Sequence, residues 1–392
     1  MLHKAFFRNF KLFIGYALVV IERLIPKKRG SVCFSMTPGL YNGNSKSLFE
    51  HIITQPYGKL DAFWLYDHLL DVRSVQPSAS KKMFRRYSVI GGWRFLRADI
   101  IVLSHGFGDM GAYAKSSKRK KVLQLWHGIG IKSMGIFDEN FDSKMIERFM
   151  QKETRYYNYV VVSSDVDRYY SASYMGIDAR KVVVTGLPRN DVLANFDKKI
   201  KDDKFKTLYA PTFRDKPHDL DNLFFPFSMN YEVAVEWAYA NDIIFLLRPH
   251  PNDKDSFQAL KRLEDLNPDV FKDASNQAVP DCMTLLKECD GVVTDYSSVY
   301  IDGLLRNLPC VFVDFDREEY LKKRGLAYEY ELITPGPKVQ NWADFKTACE
   351  SMTLGAEEWA QNREFVRKMF FKYRDPNACA RVAAVIDEML EE

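Results

Sequence analysis

The sequence predicts an α/β protein made of two Rossmann-like halves facing across a cleft. Two observations carry this. Short apolar runs bounded by polar punctuation recur along the chain and alternate with stretches of helical spacing, which is the pattern of a parallel sheet between helices. The pattern breaks at Leu193–Lys206, a charged and weakly hydrophobic stretch, and then starts again, marking a linker between the halves. At 392 residues the chain is long enough for two domains of ordinary size.

The first element is N-terminal. Phe6–Ile25 is apolar and aromatic, with Lys4, Arg8, Lys11 and Glu22-Arg23 interrupting or flanking it and Lys27-Lys28-Arg29 following. Its uncharged core, Leu12–Ile21, is only about ten residues long, too short for a hydrocarbon layer of ~30 Å. No small-residue cleavage site follows, which argues against a signal peptide. The pattern fits a basic amphipathic helix lying on an anionic membrane surface.

After Gly30 the strands come in turn. Ser31–Ser35 leads into a glycine-containing loop and a helix from about Lys46. Ala62–Tyr66, Ile100–Ser104, Val122–Leu125, Val160–Ser163 and Val182–Thr185 complete the first half. Thr207–Ala210, Ile243–Leu247, Gly291–Thr294 and Cys310–Val313 form the second. From Glu357 to Leu390 the spacing is helical. The expected domains are a membrane-associating segment 1–30, halves at 31–200 and 201–375, and a C-terminal helix 376–392.

Composition narrows the class. With 46% hydrophobic and 28% charged residues the chain is globular, and a net charge of +4 gives no general case for nucleic-acid binding. The cysteines Cys33, Cys282, Cys289, Cys310, Cys349 and Cys379 form no CxxC pair and sit largely in apolar runs. They read as buried thiols of a reducing cytoplasm. The Walker lysine motif is missing from the sequence.

Chemistry-bearing residues gather at the ends of the predicted strands. In Gly291–Asp302, GVVTDYSSVYID, Ser297 and Ser298 follow a strand and open a helix, where free N–H groups and hydroxyls suit a phosphate or carboxylate. The same serines could serve only as helix caps. Asp295 and Asp302 flank them at a spacing that is no metal signature. In LQLWHGIG, His127 stands at a strand end between Trp126 and Gly128, with a side chain suited to proton transfer near neutrality. In TGLPRND, Arg189 suits a phosphate but could equally pair with Asp191. YAPTFRD places Thr212 and Arg214 after the first strand of the second half. LRPHPN fixes Arg248 and His250 between prolines. Together these suit a diphosphate-containing ligand whose charge is met by arginine, histidine and a helix N-terminus rather than a metal.

The set QLWHG with Lys132 after it, TGLPRNDVL, YAPTFRD, RPHP and TDYSSVYID, in this order, resembles the CDP-glycerol glycerophosphotransferases of teichoic-acid and capsule synthesis. CFSMTPGLYNGNSKSLFEHI and DPNACAR extend the resemblance to roughly 31–386. It implies a GT-B fold and transfer of a polyol phosphate, most simply glycerol phosphate, from a CDP-activated donor to a hydroxyl of a lipid-linked or glycan acceptor. CMP is released, and CDP-glycerol is a co-substrate with no obligatory cofactor. It implies His127 as general base, and His250 with Arg248 at the donor's diphosphate. Ser297 and Ser298 would bind phosphate, Thr212, Arg214 and Asp295 would lie at the donor, and Trp126, Gly128 and Arg189 would line the cleft. It also implies a peripheral location on the cytoplasmic face of the cell membrane. CDP-ribitol as donor, a GT-B glycosyltransferase using a CMP-sugar, and a non-catalytic membrane-associated scaffold are the competing readings. The sequence leaves the oligomeric state open.

Overall fold

The computed structural model describes residues 18–37, 39–55, 57–138, 141–194, 204–212, 227, 230–251, 253–355 and 357–392. The expected N-terminal amphipathic helix falls mostly outside them, and Arg214 lies outside them entirely. The chain divides into two compact units. One comprises the chain up to Gly128, Gly135–Asp191 and Asn377–Glu392, and the other Ile129–Met134 and Val192–Pro376.

The strands of the first unit are β1 (Lys28–Ser35), β2 (Asp61–Tyr66), β3 (Met83–Arg85), β4 (Ala98–Leu103), β5 (Lys121–Gln124), β6 (Tyr159–Val162) and β7 (Val182–Val184). They form one parallel sheet in the order β3-β2-β1-β4-β5-β6-β7. The strand order reverses between β1 and β4, and the crevice outside the carboxyl ends of such a pair is where open α/β sheets take ligands. The central strands are buried on both faces, so they read as continuous apolar runs such as Ile100–Leu103.

The second unit repeats the plan with β8 (Phe205–Ala210), β9 (Ile243–Leu247), β10 (Phe271–Asp273), β11 (Gly291–Thr294), β12 (Cys310–Val313) and β13 (Lys338–Val339). These are parallel in the order β10-β9-β8-β11-β12-β13, with the switch between β8 and β11. Phe245, Leu263, Phe271, Phe345 and Cys349 are central to its core.

Three differences from the sequence reading have simple causes. The edge strands β3, β10 and β13 span only two or three residues, too few to show a period. The helical stretch after Glu357 is two helices, Ala360–Phe370 and Ala378–Glu391, because Pro376 lacks the N–H a continuous helix needs. The final helix, read as a separate segment, belongs to the first unit, and the division falls at Asp191/Val192 rather than at 200. Asp191 explains the return. Its carboxylate accepts the N–H groups of Ala378 and Cys379, both at 2.8 Å, and so caps the helix that Asn377 leaves without a side-chain cap.

The N-terminal residues that are described are tied down by Glu22. Its buried carboxylate accepts from Lys27, Ser116 and Lys120, the last at 2.8 Å. Of the cysteines, all but the half-buried Cys282 are buried, and all are free thiols.

Candidate functional site

In the first unit the site is built at the end of β5. Gln124 Oε1 accepts the Trp126 N–H at 2.9 Å, and the Asn44 amide donates to the carbonyls of Leu125 and Trp126 at 3.2 and 3.0 Å. These bonds hold Trp126 at φ 54°, in the left-handed region that side chains avoid. The strained turn presents His127. Asn44 Oδ1 also accepts the Arg189 N–H at 3.1 Å, and the Arg189 guanidinium donates to the His127 carbonyl at 2.6 Å. A Cβ on Gly128 would lie 3.0 Å from Arg189 Nη2, so the glycine admits this arginine. The alternative pairing of Arg189 with Asp191 does not carry the motif, since Asp191 caps the last helix.

His127 is exposed, yet its ring packs against neighbouring side chains. Nδ1 faces the Ser104 carbonyl at 3.4 Å. The ring stacks on His105, with centroids 4.9 Å apart and planes 16° apart, and packs against Trp126. Burial, then the neighbouring His105 and Arg189, lower its pKa to about 4, while the Ser104 carbonyl opposes them. The imidazole is therefore neutral near pH 7 and able to accept a proton.

His105 and Asp109 were not singled out from the sequence. Asp109 is buried, and its Oδ2 accepts the N–H groups of Ser104 and His105, both at 2.9 Å. Its Oδ1 lies 3.3 Å from His105 Nδ1 and accepts from Thr37 Oγ1 at 3.2 Å. Burial raises its pKa, but these bonds outweigh that and hold it below the usual carboxylate value. The sequence signal was a histidine just past β4 followed by Gly106–Gly111, GFGDMG, a GxGxxG spacing that contains the aspartate.

In the second unit the predicted residues cluster at the β8/β11 switch. Asp295 is buried. Its two oxygens accept the Thr212 N–H at 2.9 and 3.0 Å, and Oδ1 accepts the Tyr296 N–H at 2.6 Å. Thr294 Oγ1 donates to the Ala210 carbonyl at 2.7 Å. Asp295 thus ties two strand ends together and positions Thr212 and the DYSS turn. Arg248 Nη1 donates to the carbonyls of Ala274 and Val279 at 2.7 and 2.8 Å, so this arginine pins the loop after β10.

His250 is exposed just past β9, and burial followed by the charge of Lys132 lowers its pKa. Ser297 and Ser298 are half-buried. Ser298 starts the helix Val299–Gly303 without a side-chain cap, so the capping reading of this serine is not what the fold uses. That helix has five residues and continues as a 3-10 turn, Leu304–Arg306. Beside it, Tyr296 stacks on Tyr320 at 3.8 Å and donates its hydroxyl to Asp316 at 2.9 Å, with Lys132 Nζ 5.7 Å over the Tyr320 ring. Among the described residues, no group of three or more His, Cys, Asp or Glu side chains is placed to hold a metal ion.

Residues 17–388 match a family model described as CDP-glycerol:poly(glycerophosphate) glycerophosphotransferase. The chain is 27% identical over 379 residues to the teichoic acid poly(ribitol-phosphate) polymerase of Bacillus spizizenii, covering 92% of this chain and 57% of that protein. It is 25% identical over 369 residues to the teichoic acid glycerol-phosphate transferase of Staphylococcus aureus, covering 88% of this chain and 90% of that one. In fold it is similar to the solved wall teichoic acid polymerase TagF, with a TM-score of 0.78 at 19% identity over 99% of this chain and 96% of the other. A putative UDP-N-acetylglucosamine 2-epimerase from Listeria monocytogenes shares the fold at a TM-score of 0.57 and 13% identity, over 93% and 97% of the two chains.

Proposed function

The chain belongs to the CDP-glycerol:poly(glycerophosphate) glycerophosphotransferase family, and from that premise we propose that it transfers a polyol phosphate from a CDP-activated donor to an acceptor hydroxyl. CMP is the leaving group. The observation that carries this is the placement of the family's motif residues. His127 and Arg189 lie past the carboxyl ends of β5 and β7, and Thr212, His250 and the DYSS turn past those of β8, β9 and β11.

In this reading the protein has the GT-B arrangement, and the two groups of residues act on one donor–acceptor pair. His127, neutral at pH 7, takes the acceptor proton as the oxygen attacks the phosphorus that carries the polyol. His250 and the serines meet the diphosphate oxygens, with Thr212 and Arg214 near the nucleotide. The turn bonded by Asp295 and the loop pinned by Arg248 keep those groups in place. Phosphoryl transfer asks for this kind of positioning and charge neutralisation more than for covalent catalysis.

Glycerol phosphate is the first choice of transferred unit. Ribitol phosphate is the second reading, supported by the likeness to a poly(ribitol-phosphate) polymerase over 92% of the chain. Incubating the protein with CDP-glycerol, CDP-ribitol or a CMP-sugar, each with a short lipid-linked glycan acceptor, and following CMP release tests the proposal. Release from a CDP-polyol supports it, and release only from the CMP-sugar would replace it with a glycosyltransferase.

In this reading the protein works as a peripheral protein on the cytoplasmic face of the membrane, where a lipid-linked acceptor would lie. No helix among the described residues is long and apolar enough to cross a membrane. The helix Val89–Arg97 supports surface contact, because it exposes Val89 (90%), Ile90 (61%) and Trp93 (52%) beside Arg97, which packs over Trp93. Trp93→Glu is expected to weaken co-sedimentation with anionic vesicles, and undiminished binding would remove this surface from the account.

A further inference from the structure

We propose that His105 is a specificity-determining residue that makes the site read two hydroxyls on neighbouring carbons of the acceptor. The inference rests on the reading of His127 as the group at the acceptor hydroxyl.

His105 follows β4, one of the two strands at the switch point of the first sheet, and His127 follows β5 beside it. Asp109 fixes the His105 ring. A carboxylate oxygen 3.3 Å from Nδ1 holds that side of the ring and leaves Nε2 on the other side. Asp109 can do this because its other oxygen is anchored on the N–H groups of Ser104 and His105, so the carboxylate does not swing. The His105 side chain remains 40% exposed while that of Asp109 is fully buried. A buried acid holding a solvent-facing histidine in one orientation is costly to build for packing alone.

His127 is held in the same sense, with Nδ1 towards the Ser104 carbonyl. Both rings therefore turn Nδ1 to the turn between Ser104 and Asp109, and both Nε2 atoms away from it. Because the rings stack face to face with centroids 4.9 Å apart, they cannot hydrogen-bond to each other. They offer two separate ring nitrogens side by side. Hydroxyls on adjacent carbons match such a pair: His127 takes the proton of the attacking oxygen, and His105 hydrogen-bonds to its neighbour. An acceptor ending in a 1,2-diol, such as a glyceryl phosphate terminus, satisfies both nitrogens, and one with a single hydroxyl satisfies one.

The test uses the full chain with CDP-glycerol and two acceptors that differ by one hydroxyl, the octyl esters of glycerol phosphate and of 3-hydroxypropyl phosphate. The wild type is expected to favour the glyceryl ester by roughly tenfold in kcat/KM, the worth of one hydrogen bond to a polar partner. His105→Phe keeps the ring stacked on His127 without its nitrogens and should bring the preference to about twofold or less, with donor KM unchanged. His105→Ala should do the same. A wild type indifferent to the extra hydroxyl, or a His105→Phe variant that keeps the full preference, overturns the inference while leaving the transferase reading intact. Absence of CMP release by the wild type with either ester would instead remove the reading beneath it.

Discussion

Replacing Asp191 by alanine isolates the cap that brings the C-terminal helix back to the first unit. The side chain accepts two N–H groups at 2.8 Å from the first turn of Ala378–Glu391. That turn has no side-chain cap of its own. Losing an N-cap costs about 0.5–2 kcal/mol, and losing a carboxylate at a helix N-terminus about 0.3–1 kcal/mol more. A total near 2 kcal/mol corresponds to a drop of roughly 4–8 °C in Tm for a domain of this size. Asp191→Asn keeps an acceptor but loses the charge, and should cost about half as much. Thermal unfolding followed by circular dichroism measures both. A Tm of Asp191→Ala within about 1 °C of the wild type would refute the cap as the reason the helix docks where it does.

Three more outcomes are expected. Glu22→Ala strands the buried Lys120 ammonium, which retains the Leu96 and Ala98 carbonyls at 3.4 and 3.0 Å and the face of the Phe95 ring. A denaturant melt should show a loss of about 3–5 kcal/mol, and adding Lys120→Met should restore much of it. Burial raises the Asp167 pKa to about 6, so its contribution is present below the unfolded value of about 3.9 and is lost as pH rises through about 6; Asp167→Asn should flatten the fall in Tm across that window. His127 has a lowered pKa, so its base form persists well below the ordinary histidine value, and the acid limb of kcat/KM should lie below about pH 6.5 in a stopped assay of CMP release.

Most of the fold was legible because parallel strands buried on both faces must be continuous apolar runs. Ile243–Leu247, Gly291–Thr294 and Cys310–Val313 coincide with the observed strands. The edge strands β3, β10 and β13 were not legible, since two or three residues beside a solvated edge carry little period. The site divides in the same way. His127, His250 and the serines were visible as reactive residues at strand ends. What holds them depends on contacts between distant segments: Asn44 to Trp126, Asp109 to Thr37, Asp295 to Thr212 and Asp191 to the last helix. A sequence shows that an aspartate follows a strand, but not that its oxygens are taken up by another segment's N–H groups. Asp295 and Arg248 were read at the donor, and the fold adds the partners that fix them.

The central claim is that His127 takes the acceptor proton during transfer from a CDP-polyol. The direct measurement is CMP release from CDP-glycerol with a lipid-linked glycan acceptor, for wild type and His127→Ala, together with donor affinity by calorimetry. The account predicts a fall in turnover of about 10²–10⁴-fold with donor affinity retained, and wild-type product heavier by a glycerol phosphate unit. Donor affinity falling in step with turnover, or unchanged turnover, would contradict it.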